Sequence, residues 1–253
     1  MTNFLNKIIC GDSEEVLKNF PSEIVDLVFT SPPYNFGKRY LSYNDRKSED
    51  EYFSKLFRIF EECIRVLKNG GRFIINIQPF SSEHIPTHHI ISCFLRSKGL
   101  IWYTEILWEK HNYNCRTTQW GSFQSPSQPH FRITWEFIEV YAKGSLRHEG
   151  LKENITLTKS EFAKWTYAKW EIPAERNMDK FNHPSVMPEE LAERVIKMFT
   201  YKGDLVLDPF NGVGTTTYVA KNLGRNYIGI EIDPHYCEIA EKRLKKLDLR
   251  LFE

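Results

Sequence analysis

Little in this chain provides for covalent or metal cross-linking. Its 253 residues include five cysteines, at positions 10, 63, 93, 115 and 237, and none share a CxxC spacing. An odd and scattered set of thiols argues against a disulfide framework or a zinc site and for a reducing, cytoplasmic setting. No apolar run is long enough to span a bilayer. The opening Met1-Thr2-Asn3-Phe4-Leu5-Asn6-Lys7 lacks the apolar centre of a signal peptide. No membrane partner is expected. Excess charge is missing as well, since 34 Lys and Arg against 33 Asp and Glu leave a formal net charge of +1. This balance does not announce a polyanion binder, but an enzyme with few phosphate contacts, or with its basic residues on one face, has the same composition. Internal repeats and low-complexity tracts are absent.

What is present suits a sizeable core: 41% of residues are hydrophobic and 26% charged. The 18 Phe, 12 Tyr and 6 Trp mostly belong to that core, with some rings left for stacking. Hydrophobic patterning predicts strands at 7–10, 26–30, 72–77, 100–109, 133–141, 205–208 and 227–231. Helices are expected at 13–19, capped by Ser13, and at 51–67, stopped by Asn69-Gly70-Gly71. Further helices are expected near 89–97 and at 188–199, 215–223 and 234–247. This alternation is that of an α/β protein with a doubly wound sheet.

Two short segments at opposite ends of the chain each follow an apolar run that reads as a buried parallel strand. Thr30-Ser31-Pro32-Pro33-Tyr34 follows Ile24–Phe29, and Asp208-Pro209-Phe210-Asn211-Gly212-Val213-Gly214-Thr215-Thr216 begins at the end of Leu205–Leu207. In a doubly wound sheet ligands bind beyond the carboxyl ends of neighbouring strands, where the strand order reverses. The second segment places a carboxylate at the strand end, glycines in the turn and hydroxyls at the helix start. Glu231 ends another strand about 20 residues further on, as expected for a ribose ligand. A loop that opens with aspartate suits a cationic, amino-acid-bearing nucleoside better than a pyrophosphate. Taken alone, the glycines could merely pack a helix on the sheet, and the prolines merely end a strand. Together the segments suggest group transfer onto a planar ring held beside a cofactor.

Thr30-Ser31-Pro32-Pro33-Tyr34 resembles the (D/N/S)-P-P-(Y/F/W) signature of amino-group DNA methyltransferases, and Asp208–Thr216 resembles their S-adenosylmethionine loop. Catalytic motif first and cofactor motif last resembles the circularly permuted β group, over nearly the whole chain except about 146–182. The resemblance implies a Rossmann-like, mostly parallel, seven-stranded sheet, circularly permuted, with a small inserted target-recognition region. It divides the chain into a catalytic half (1–142, recognition loop about 111–132), an inserted lobe (143–182) and a cofactor half (183–253). Strand 205–208 is expected beside strand 26–30, with 227–231 and 7–10 to one side and 72–77 and the pair 100–109/133–141 to the other.

The implied catalytic set is Ser31, Pro32, Pro33 and Tyr34. An exocyclic amine is a poor nucleophile, because its lone pair is delocalised into the ring. Acceptors on its N–H groups, here Ser31 Oγ and the Pro32 carbonyl, would favour attack, while Tyr34 would stack on a base swung out of the duplex. The implied cofactor set is Asp12, Thr30, His183, Pro184, Asp208, Pro209, Phe210, Gly212, Gly214, Thr215, Thr216 and Glu231, with no metal. Asp12 would meet the cofactor adenine or cap the following helix. His183 and Pro184 would reach its methionine end or cap the next helix. Lys38 and Arg39 would meet phosphates or lie on a solvated loop, and Arg116, Gln119 and Gln128 are placed to read base edges.

A serine at the first motif position favours cytosine N4 over adenine N6 within the resemblance. It implies double-stranded DNA as substrate, a restriction-modification setting that allows a cognate restriction endonuclease, and a monomer or homodimer. The alternatives are an adenine-N6 enzyme, a methyltransferase of RNA or small molecules, and a non-catalytic DNA-binding module that keeps the cofactor fold.

Overall fold

The run Val25–Thr30 is buried at every position because both faces of its strand are covered. In the computed structural model, which describes residues 4–35, 47–79, 85–112, 121–176 and 185–250, Val28 faces a core with Leu56, Phe60 and Phe73. Its neighbours Leu27 and Phe29 face a second core with Leu191, Val195 and Val206. The strands are β1 (Lys7–Cys10), β2 (Val25–Thr30), β3 (Leu67–Ile77), β4 (Leu100–Glu109), β5 (Trp135–Lys143), β6 (Lys169–Glu171), β7 (Leu205–Asp208) and β8 (Asn226–Glu231). The helices are α1 (Ser13–Leu17), α2 (Glu49–Val66), α3 (Thr87–Ser97), α4 (Lys159–Trp165), α5 (Glu189–Phe199), α6 (Thr215–Asn222) and α7 (Pro234–Arg250). Helices α1 to α3 contribute to the first core, and α4 to α7 to the second.

One sheet runs in the order β1-β8-β7-β2-β3-β5-β4-β6. It is parallel throughout except for β5, which is antiparallel to both neighbours. The expected neighbours are found, with β7 beside β2 through Leu27↔Val206 and Val28↔Leu207. This pairing sets the turn after Thr30 next to the turn after Asp208, at the carboxyl end of the sheet.

Four expectations change. Asp12, not Ser13, caps α1: its carboxylate accepts from Glu14 N at 3.1 Å, while Ser13 is the first helical residue and donates to the Pro209 carbonyl. Asn69-Gly70-Gly71 does not follow the helix as a separate stop. Leu67 turns extended and pairs with Val25, so α2 passes directly into β3 and the glycines lie within the strand.

The described part of the expected lobe, 143–176, lies on the main sheet instead, and its strand β6 joins β4. The sheet therefore has eight strands where seven were expected. Burial of large rings accounts for this: Trp165, Trp170 and Ile172 join the second core. Trp108 Nε1 donates to the Ile172 carbonyl at 2.8 Å, and Trp170 Nε1 to the Trp165 carbonyl at 2.9 Å. At the opposite end of the sheet, His148 Nε2 lies 2.8 Å from Asp204 Oδ2, which ties the same segment to the start of β7.

Candidate active site

The two turns line one cavity of about 620 Å³ that opens beyond the carboxyl ends of β2, β7 and β8. Its size is that of a small-ligand site. On the β2 side Pro32 and Pro33 end the strand, and the Tyr52 hydroxyl donates to the Pro33 carbonyl at 2.7 Å. The Asn35 side chain bonds both the backbone N and O of Lys47 at 2.9 Å, which fixes the far side of the turn.

Tyr34 is 8% exposed, and its hydroxyl is held in a polar network. It lies 2.7 Å from Ser31 Oγ, 3.1 Å from Glu136 Oε2 and 3.2 Å from the Asn76 carbonyl. Asn76 Nδ2 donates to Glu136 Oε2 at 2.6 Å and to the Tyr34 oxygen at 3.1 Å. Lys110 Nζ, at 2.6 Å, and Gln78 Nε2, at 3.2 Å, donate to the other Glu136 oxygen. Burial alone would raise the Glu136 carboxyl, but the Lys110 ammonium and the two amides outweigh it and hold it below its ordinary value. Glu136 therefore stays ionised although only 5% exposed.

On the β7 side, Asp208 Oδ1 accepts from Thr30 Oγ1 at 2.7 Å and from Phe210 N at 3.0 Å. One carboxylate thus locks β2 to β7 and shapes the turn. Burial pushes it up to about 6, against these hydrogen bonds, and burial also raises Glu231. Glu231 receives the backbone N–H of Gly212 at 2.8 Å and of Asp233 at 2.9 Å. Gly214 is left-handed (φ 80°) at the start of α6, where a Cβ would lie 2.8 Å from Ala240 of α7. Gly229 in β8 leaves room for Asn211, whose side chain would be 2.5 Å from a Cβ there.

Among the described residues three buried polar atoms that belong to cavity-lining side chains have no hydrogen-bond partner: Asn211 Nδ2, Asp233 Oδ2 and Asn76 Oδ1. Two acceptors and a donor left open in this way suit a polar ligand. Raised carboxyls at Asp208 and Glu231 suit one that carries positive charge.

Of the expected residues, Asp12, Ser31, Pro32, Pro33, Tyr34, Asp208, Pro209, Phe210, Gly212, Thr215, Thr216 and Glu231 line this cavity. Asp12 caps α1 and also pairs with Lys55, so it holds both of its expected positions. Thr30 acts through Asp208, and Gly214 through the packing of α6 on α7. Gln128 is exposed on a loop, where its backbone N–H donates to Ser122 Oγ at 2.8 Å, and does not reach the cavity. Lys38, Arg39, Arg116, Gln119, His183 and Pro184 lie outside the described residues. Asn76, Lys110, Glu136, Asn211 and Asp233 were not anticipated. For Asn76 and Glu136 the available signal was a polar residue in an otherwise apolar strand run.

Residues 25–242 match the N6/N4 methylase family, described as DNA methylase. The chain belongs to that family. The methylase is 32% identical over 247 residues to the Type II methyltransferase M.BglII of Bacillus subtilis, covering 93% of this chain and 68% of that one. It is 34% identical over 258 residues to the DNA adenine methyltransferase YhdJ of Escherichia coli K12, covering 96% and 83%. Among solved structures, the DNA modification methylase TTHA0409 of Thermus thermophilus, complexed with S-adenosyl-L-methionine, superposes with a TM-score of 0.76. It shares 29% identity, over 96% of this chain and 94% of that one. The methylase has the permuted, mostly parallel sheet of this class, with the Ser31 turn preceding the Asp208 turn in the chain. No helix among the described residues is long and apolar enough to cross a membrane.

Proposed function

We propose that this methylase transfers a methyl group from S-adenosylmethionine to the exocyclic amine of a base swung out of duplex DNA, with cytosine N4 as the acceptor. The observation that carries the reading is the shared cavity, which sets Ser31 and Tyr34 beside Asp208, Phe210 and Glu231. When bound, S-adenosylmethionine supplies an electrophilic methyl group on a positively charged sulfur. Glu231 and the orphaned Asp233 oxygen offer acceptors to its hydroxyl and amino groups. Asp208, with Thr30, fixes the Pro209–Gly212 turn and adds negative charge, and Asp12 flanks the same space.

Ser31 Oγ and the Pro32 carbonyl accept hydrogen bonds from the target amine, which draws its lone pair out of the ring and toward the methyl carbon. They also disperse the positive charge that grows on the nitrogen. Tyr34 supplies a ring face for the base, worth about 1–3 kcal/mol. Extrusion of the base is required because the amine is inaccessible inside the helix.

Arg116, Gln119 and Gln128, with the segment 143–182, are assigned to target recognition, and Lys38 and Arg39 to phosphates. Relatives named Type II methyltransferases support a restriction-modification setting with a cognate endonuclease. A second reading, transfer to adenine N6, is favoured by the 34% identity to a protein named a DNA adenine methyltransferase. Incubation with tritiated S-adenosylmethionine and genomic DNA, followed by nucleoside analysis, decides between them. N4-methylcytosine is expected, N6-methyladenine would move the assignment to the second base, and unlabelled DNA would overturn both.

A further inference from the structure

We infer that Glu136 is a positioning residue: it sets the direction of a hydrogen-bond chain so that Ser31 turns its lone pairs, and not its proton, toward the target amine. The inference rests on the reading of Ser31 as the acceptor of the amine N–H. A serine hydroxyl can donate or accept, so a lone Ser31 would meet an amine in either sense. An aspartate at that position would need no such control, because a carboxylate only accepts.

The direction follows from the partners of Tyr34. Glu136 Oε2, at 3.1 Å, belongs to an ionised carboxylate, and the Asn76 carbonyl, at 3.2 Å, is also an acceptor. The single Tyr34 proton is therefore drawn toward this pair. Asn76 Nδ2 donates to the Tyr34 oxygen at 3.1 Å from the same side. Toward Ser31, at 2.7 Å, the Tyr34 oxygen then acts as acceptor, and Ser31 spends its only proton there. Both Ser31 and Asn76 line the cavity, so the lone pairs left on Ser31 face the space assigned to the base.

Glu136 is anchored for this task by Lys110 and Gln78 on Oε1 and by Asn76 on Oε2. A buried ion pair of this kind gives little net stability over apolar packing, so its value here is directional. A neutral Gln at position 136 could present an amide N–H to Tyr34. The chain could then reverse and aim the Ser31 proton into the cavity.

The test uses the full-length protein and duplexes that contain the site found by mapping its methylation. One duplex carries the amino base at the target position. The other carries its deaminated counterpart, in which a carbonyl oxygen replaces the amine. Binding is read by fluorescence anisotropy without cofactor. The natural protein should prefer the amino duplex by about tenfold, the size of one well-placed hydrogen bond against an acceptor–acceptor clash. Glu136→Gln should erase or reverse that preference and cut kcat by about tenfold, with unchanged affinity for S-adenosylmethionine.

In a Ser31→Ala background Glu136→Gln should have no further effect on either readout. Equal losses in both backgrounds would show a merely structural role and overturn the inference. Tyr34→Phe keeps the ring, breaks the same chain, and should reproduce the loss of preference even if Glu136→Gln folds poorly. A Tyr34→Phe protein with the natural preference would also overturn it. Failure of the natural protein to methylate DNA would instead bring down the underlying reading of Ser31.

Discussion

Asp208 is 4% exposed and has no cationic side chain within hydrogen-bond reach among the described residues, which is why its carboxyl is pushed up to about 6. Ionising it there costs about 3 kcal/mol relative to water. An acid whose folded value is raised weakens the empty protein at neutral pH, and that penalty is relieved as the pH falls through 6 toward 4. A bound cation reverses the preference, since it favours the carboxylate and expels the proton. Affinity for S-adenosylmethionine should accordingly fall as the pH drops from 7.5 to 5, with proton uptake on release. Calorimetry in buffers of different ionisation enthalpy checks this, and Asp208→Asn should bind more weakly with a flatter pH profile, Glu231 supplying what pH dependence is left. Tyr34→Ala, which removes the ring, should spare cofactor binding and slow methylation by roughly 10–100-fold, the kinetic equivalent of the stacking energy. Unchanged single-turnover rates would remove the stacking role. Ser31 and Asp208 were legible in the sequence because each stands at a strand end in a turn-forming motif. Asn76 and Glu136 were not, because a buried polar residue in an apolar strand declares itself only through the partners that satisfy it, and those come from other strands.

At the level of elements, the site depends on close approach between backbones as much as on side chains. Gly229 lies in the middle of β8 and faces Asn211 so closely that any Cβ must displace it. Asn211 in turn accepts from Thr217 Oγ1 at 2.9 Å and places its backbone N–H on the Ile230 carbonyl, also at 2.9 Å. Gly229→Ala should cost about 1–3 kcal/mol of stability and weaken cofactor affinity, because the displaced group is part of the cavity wall. Chemical denaturation beside calorimetric binding separates the two effects. If only stability drops, Asn211 has no part in the ligand site. Most elements could be placed from the periodicity of their apolar residues, and α2 is representative, with Phe53, Leu56, Phe60 and Cys63 all buried on one face. The join between α2 and β3 escaped this reading because two consecutive glycines usually mark a stop. Here the pairing of Leu67 with Val25 carries the chain into the sheet first.

For the molecule as a whole, the segment 143–176 decides whether one or two cooperative units exist. Its charges and irregular pattern suggested a lobe of its own, yet Trp170 is 1% exposed and packs with Ile106, Trp108 and α5. Lys197 of α5 pairs with Glu161 of α4, and the Arg194 guanidinium lies 5.6 Å over the Trp170 ring. Removing that ring from a closed core should cost about 3–5 kcal/mol. For a chain of this size such a loss lowers the melting temperature by roughly 10 °C. Trp170→Ala should therefore shift one sharp calorimetric transition downward, and far-UV and aromatic signals should still move together. A detached lobe predicts something different: the main transition stays in place and a small early one separates from it. Because α5 leads into β7 and β7 ends at Asp208, the single-unit outcome also requires S-adenosylmethionine to raise the melting temperature of Trp170→Ala in parallel with that of the natural protein. Protection confined to one of two transitions would show that the recognition segment and the cofactor turn are energetically separate.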